Sequence, residues 1–390
     1  MLRISRLVVA VSAAALAVAA CGDGQPTPTA TAVPTSTTLA VGQRAPLATT
    51  KVPAPTTSSP PTSTVPPVTT TTEAVVAVGT VDNPIAVGSA NRVGDWVITV
   101  KSVDEDAAAT VLNENPYNES PADDERYVLV GIEASYIGGD TGFPWLEIDH
   151  WMLGEQNVLY KGFETECGIV PNDLSFIGEV FPGGTVQGSL CHRVAASDAA
   201  VAVLVIEEAF TIGDADAAVF ALHDGVGSVP LEAPPTVVGP IDGGPLGSIG
   251  NPIEIGSPGM VGEWRVSVDA VDLDAAATIL AENPFNDAPE PGFTYVLVTF
   301  EATYEGAGTG NPWLDTAGKI LGEARVAYDG FDSYCGVIPD DFTSIGEVQP
   351  GTTVIGNMCW AVATDDLESL MVILEDHQNY ESGRLFYALG

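Results

Sequence analysis

Basic residues are scarce in this 390-residue chain: 13 Lys and Arg stand against 52 Asp and Glu, a net charge of −39. A surface of that sign repels nucleic acid, anionic headgroups and anionic wall polymers, so no nucleic-acid partner is expected and cationic or neutral partners remain. Histidine is limited to His150, His192, His223 and His377. There is no Gly-x-Ser-x-Gly elbow, no phosphate loop, no dinucleotide fingerprint and no zinc spacing. The lack of Cys-x-x-Cys argues against a thioredoxin-like redox motif. No apolar run reaches eighteen residues, the length a spanning helix needs. These absences point away from an enzyme; no cofactor and no metal site is expected.

What is present begins with an address. Arg3 and Arg6 precede an apolar run, Leu7 to Ala20, that is too short to span a bilayer and ends Val18-Ala19-Ala20-Cys21. An aliphatic residue three before a cysteine, then two small residues, is the pattern of a lipoprotein signal. Residues 1–20 are therefore expected to be removed and Cys21 to be lipidated, anchoring the chain to the outer face of a membrane. An ordinary signal peptide with Cys21 incidental is the competing reading. Residues 21–80 are Pro, Thr, Ser, Ala and Val with almost no aromatics, a composition expected to form a disordered, extended stalk. The leader carries only Arg3 and Arg6, and in the stalk Asp23 and Glu73 balance Arg44 and Lys51, so the whole net negative charge falls on residues 81–390.

That region is a duplication. Residues 83–207 align without a gap on 251–375 at a constant offset of 168, with about half the positions identical. Ala107-Ala108-Ala109-Thr110 repeats as Ala275-Ala276-Ala277-Thr278, and Tyr127-Val128-Leu129-Val130 as Tyr295-Val296-Leu297-Val298. Each unit has the size of one domain rather than of a solenoid repeat. The units are read as 81–223 and 251–390, joined by a Gly/Pro-rich linker, 224–250, expected to let them move independently.

Within a unit the pattern is mainly β. Val128, Val130, Ile132, Ala134 and Tyr136 alternate with polar positions such as Glu133 and Ser135, and the second copy repeats the alternation from Val296 to Tyr304. Short strands between Gly/Pro/Asp turns argue for an antiparallel sandwich. One segment per unit, Asp106 to Asn115 in the first, reads as a short helix stopped by Pro116. Cys167 and Cys191 are 24 apart, as are Cys335 and Cys359. In an oxidising compartment each pair is expected to be a disulfide. Cys191 alternates with the core-facing Leu190 and Val194, so its bridge should pin the Cys167 loop outside a sheet; a bulge at Gly188 would reverse this.

Two acidic features recur: Asp104/Asp106 with Asp272/Asp274, and Asn172-Asp173 with Asp340-Asp341. Weak Ca²⁺ binding is one reading and local capping the other. The Asn-Pro-aromatic-Asn turns at 115–118 and 283–286 recur as well. So do the Pro-Trp pairs, whose Trp145 and Trp313 could be ligand platforms or plugs at the end of the sandwich core.

These motifs, namely Asn-Pro-Ile, Gly-[DE]-Trp, the Asp-Ala-Ala-Ala-Thr helix, Pro-Trp-Leu, Cys-Gly-[IV]-[VI]-Pro and the Pro-Gly-x-Thr-Val strand into Cys, resemble an actinobacterial lipoprotein domain of unknown function. It is similar to the secreted immunoprotective antigen of mycobacteria. The resemblance covers both units and implies an immunoglobulin-like fold, an actinobacterial envelope and no assignable site residues. The expectation is two tandem immunoglobulin-like sandwiches forming a non-catalytic envelope module that binds an extracytoplasmic protein, peptide or glycan. An accessory structural lipoprotein is the alternative, and a hydrolase a third reading.

Overall fold

A computed structural model describes residues 77–211, 216–230, 243–330, 333–377 and 383–390. The leader, Cys21 and the stalk to residue 76, and the middle of the inter-unit linker, lie outside the described residues.

Each copy folds into two facing four-stranded sheets. In the first, β1 (Ala90–Val93), β2 (Trp96–Asp104), β3 (Glu125–Tyr136) and β6 (Thr185–Ala195) form one sheet in the order β1-β2-β3-β6. The other has the order β5-β4-β7-β8, from β4 (Ile148–Leu153), β5 (Leu159–Tyr160), β7 (Val203–Glu208) and β8 (Ala217–Ala221). All these strand pairs are antiparallel. The order is immunoglobulin-like: β2, β3 and β6 stand where A, B and E do, and β5, β4, β7 and β8 where C′, C, F and G do. The second copy repeats it. There β9 (Gly259–Val261), β10 (Trp264–Asp272), β11 (Phe293–Tyr304) and β14 (Thr353–Ala363) face β12 (Thr316–Leu321), β13 (Ala327–Asp329), β15 (Met371–Asp376) and β16 (Arg384–Ala388).

The alternation read in 127–136 is the reason. Val128, Val130, Ile132 and Ala134 are buried between the sheets with Ile98, Leu190, Val194, Leu204 and Phe220. Complete burial of a side chain of this size contributes about 1.5–3 kcal/mol. Trp96 and Trp264 close one end of each core, stacked at a tilt on Tyr136 and Tyr304 with ring centroids 4.9 and 5.0 Å apart.

Among the described residues each copy has two short α-helices, not one. α1 (Ala108–Glu114) and α3 (Ala276–Glu282) fill the expected position. α2 (Pro144–Glu147) and α4 (Pro312–Asp315) are single turns that the Pro at the first helical position starts. Four residues give no helical periodicity to read, which is why the sequence pattern missed them.

The two sandwiches are docked, against the expectation of independent motion. Residues Glu179 to Phe181 of the first add a short antiparallel segment to the β13 edge of the second: Ala327 N–H donates to Glu179 O (2.8 Å) and Phe181 N–H to Arg325 O (2.8 Å). Phe181 is buried among Leu321, Ala327, Ile373 and Phe386. Beside it Glu179, almost wholly buried, meets Lys319 Nζ at 2.7 Å and Arg384 Nη2 at 2.7 Å. The same two cations reach the buried Glu375 at 3.1 and 2.6 Å. The Arg384 contacts are close ion pairs without the alignment of good hydrogen bonds. Burial alone would raise the Glu179 carboxyl; Lys319 and Arg384 outweigh it and hold it below the usual range. Linker composition speaks only to the linker, and here the contact comes from a turn and a sheet edge distant in sequence.

Candidate functional site

The outer face of the first sandwich carries a second, smaller core. Ala107, Val111, Tyr127, Val170 and the Cys167–Cys191 disulfide pack together beneath α1. β6 pairs with β3 in unbroken register through Gly188, so the alternation holds and Cys191 faces outward, away from Leu190 and Val194. Cys335 and Cys359 are bonded likewise over α3. Asn118, the last residue of its turn, ties this layer together. Its Nδ2 donates to Val111 O at the end of α1 (2.8 Å) and to Ile169 O in the cysteine loop (2.7 Å), and its Oδ1 accepts from Ile169 N–H (3.0 Å). Asn286 makes the same three bonds to Ile279 and Val337. Gly168 has φ +88° and a Cβ there would lie 2.3 Å from Asn118 Oδ1, so only glycine fits.

The recurring carboxylates act locally. Asp104 and Asp272 each accept the N–H two residues on at 3.1 Å. Asp173 and Asp341 each cap a 3₁₀ turn, accepting from Ser175 N–H and Thr343 N–H at 2.8 Å. One oxygen of each carboxylate is engaged in these caps, and among the described residues no three His, Cys, Asp or Glu side chains cluster as a metal site would require.

Four of the six tryptophans recur in both copies, as two pairs. Trp96 and Trp264 are the core plugs, while Trp145 and Trp313 stand outside, 55% and 53% exposed. The two pairs are linked. Glu147 in α2 accepts from Trp96 Nε1 (2.8 Å) and from Phe143 N–H (3.1 Å), clamping the turn on which Trp145 rides. Asp315 does the same for Trp264 Nε1 (3.0 Å) and Asn311 N–H (2.8 Å). The exposed indole thus projects from a fixed base.

Trp145 stands at the lip of two depressions. One, about 250 Å³, follows the seam between the sandwiches past Phe176, Glu179 and Lys319. The other, about 310 Å³, runs along the disulfide loop and holds Phe163, His150, Glu166 and Asp173. Burial, helped by the Asp173 charge, pushes the Glu166 carboxyl up. Phe163 and Phe176 are largely exposed. The groove therefore offers aromatic faces with acidic groups between them, a surface for a neutral or cationic ligand.

Behind this groove lies a feature the sequence did not reveal. His150 Nδ1 and His192 Nε2 are 2.9 Å apart, edge to face, with His192 in the core and His150 between it and the groove. Burial lowers both: His192 to about 3, the His150 charge adding to the effect, and His150 despite the carboxylates of Asp149 and Asp173. His192 Nδ1 is buried and has no partner among the described residues. An unpartnered lone pair costs less than an unpartnered N–H, which assigns the proton of the shared bond to His192 Nε2, with His150 Nδ1 accepting. At the same places the second copy has Trp360 and Gly318. A Cβ on Gly318 would lie 2.5 Å from Met358 Sδ and 3.1 Å from the Trp360 ring, so two imidazoles occupy what one indole fills in the other copy. The paired change at a common offset was the available signal.

No protein-family model matches the chain, and no curated protein does. Among solved structures, a conserved hypothetical protein from Bacillus anthracis is 11% identical, over 34% of this chain and 94% of its own, with a TM-score of 0.24. An uncharacterized β-sandwich protein from Clostridium difficile 630 is 9% identical, over 36% of this chain and 95% of its own, with a TM-score of 0.25.

Proposed function

We propose that this chain is a non-catalytic binding module of a cell envelope, tethered through lipid on Cys21 and binding its ligand at the Trp145 groove of the first sandwich, with Trp313 as a second contact. The observation that carries it is the pair of clamped, half-exposed indoles. Water contact for an indole is unfavourable, yet both copies fix the turn beneath it with two hydrogen bonds accepted by one carboxylate. Rigid aromatic platforms of this kind bind peptides and sugars at small entropic cost. Two such platforms on docked sandwiches favour bivalent engagement. The motifs shared with actinobacterial envelope lipoprotein domains support the location, and the two disulfides suit an oxidising compartment.

Two measurements test this. Cys21→Ser should release the protein from the membrane fraction of its host and abolish labelling by a palmitate analogue; retention with undiminished labelling sinks the anchor. Native-envelope crosslinking with the wild type should recover partners that Trp145→Ala and Trp313→Ala lose. Identical recovery by the double variant would remove the groove from consideration.

A further inference from the structure

The inter-sandwich contact is heterologous: a turn of one copy meets the sheet edge of the other. Each copy therefore has an unused half. The unused edge is β5 of the first sandwich, where Asn157, Val158 and Leu159 stand at the positions of Arg325, Val326 and Ala327. In the second sandwich this edge is covered by Glu179–Phe181. In the first, β5 ends its sheet, nothing pairs with its outer side among the described residues, and Val158 and Leu159 are exposed. An exposed apolar edge is the surface that strand addition uses.

We infer that the β5 edge of the first sandwich is a second binding site, distinct from the Trp145 groove, which takes an extended protein segment carrying an arginine where Glu179 stands in the internal contact. The geometry comes from the equivalent edge, already occupied by an antiparallel segment. The sign comes from the side chains. Glu179 meets Lys319 and Arg384; their counterparts in the first sandwich are the uncharged Trp151 and Ala217. Glu375 has the counterpart Glu207, which stays acidic. Lys161 is the local cation, 3.9 Å above the Trp151 ring and bonded to Asp149 at 2.7 Å and Glu207 at 3.1 Å. With both cations replaced by uncharged residues, Asp149 and Glu207 outnumber Lys161 here, and their carboxylates suit the planar fork of an incoming guanidinium. The corresponding turn of a second copy, Gly346 to Pro350, brings Glu347 to this acidic patch and Gln349 in place of Phe181. It has neither the charge nor the anchor, so the contact does not propagate from molecule to molecule.

The test uses two synthetic peptides built on residues 177–183 of the chain, Ile-Gly-Arg-Val-Phe-Pro-Gly and its Glu form, titrated into the whole extracytoplasmic protein by NMR. The Arg peptide should bind at least tenfold more tightly than the Glu peptide and shift the amides of β5 and β4. Leu159→Lys, a surface change on the edge, and Leu159→Pro, which removes its outward N–H, should each abolish the difference. Trp145→Ala should leave it unchanged, which separates this site from the groove. Equal affinity of the two peptides, or binding indifferent to both Leu159 variants, overturns the inference. Head-to-tail association in sedimentation velocity, weakened by Leu159→Lys, would assign the edge to a second copy instead.

Discussion

The buried histidine pair makes the first sandwich acid-sensitive in a way the second is not. His192 has a folded pKa of about 3 against an ordinary value of 6.5. Between those values the unfolded chain binds a proton that the folded core refuses. Stability is therefore unaffected well above pH 6.5 and falls as pH drops toward 3, with a limiting slope of about 1.4 kcal/mol per pH unit. From pH 7 to pH 5, His192 alone withdraws about 2 kcal/mol by this linkage. The depressed His150 adds in the same direction. Carboxylate titration in that window is shared by the wild type and a variant that lacks the two imidazoles, so it cancels between them. The control is built into the chain: His150→Gly with His192→Trp imports the Gly318–Trp360 arrangement. Urea unfolding at the two pH values, with hydrogen exchange of β4 and β12 segments reporting each sandwich separately, should show the first losing about 2 kcal/mol or more in the wild type and losing little in the double variant. An unchanged pH slope in a folded double variant would refute the assignment of neutral imidazoles in the core.

Other perturbations have expected sizes. Replacing Cys335 and Cys359 by Ser opens a loop of 24 residues and should cost about 3 kcal/mol in urea unfolding of the second sandwich. Asn118→Ala removes three hydrogen bonds to the cysteine loop and α1; about 2 kcal/mol should be lost, with faster exchange at Ile169 as the local sign. Glu179→Ala leaves Lys319 and Arg384 with Glu375 as their remaining buried partner, weakening docking by about 3 kcal/mol; small-angle scattering should broaden and the 224–250 linker should become protease-sensitive. An unaltered scattering curve for Glu179→Ala would show that Phe181 and the backbone pairing suffice for docking.

The fold was legible where one physical rule decided it. The period-two alternation from Val128 to Tyr136 placed a half-buried strand, and the same parity put Cys191 opposite Leu190 and Val194, so the disulfide position could be read without knowing the strand order. The α1 position was legible because Pro116 and the Ala run agree. The site was much less so. The distinction between Trp96 and Trp145 depends on a carboxylate, Glu147, 51 residues from the indole it accepts from. The docking depends on Glu179 and Lys319, 140 residues apart. Local patterns carry no information about such pairs. The expectation of freely moving units failed for that reason: composition describes the connection, whereas docking is decided by which turn and which edge present matching charge.

The duplication supplies a comparison that a single sequence otherwise lacks. Positions kept in both copies are those whose loss breaks the frame: the Trp–carboxylate clamp, the Asn that holds the cysteine loop, and the capping Asp173 and Asp341. Some positions that changed lie where the two copies face different surroundings. Glu179 and Glu347 are the same residue in different company, because Phe181 and Gln349 differ beside them and only one copy meets Lys319 and Arg384. Conversely, at the β5 edge Trp151 and Ala217 stand where the other copy has the two cations. An edge under no demand but solubility should resemble neither; it should carry scattered charge and no aromatic. Instead Trp151 lies under Lys161, and Val158 and Leu159 are apolar and exposed. On the inference of a second binding site at β5, this exposed apolar edge beside an excess of carboxylates is what would select an arginine-bearing segment over one with the glutamate of the internal contact.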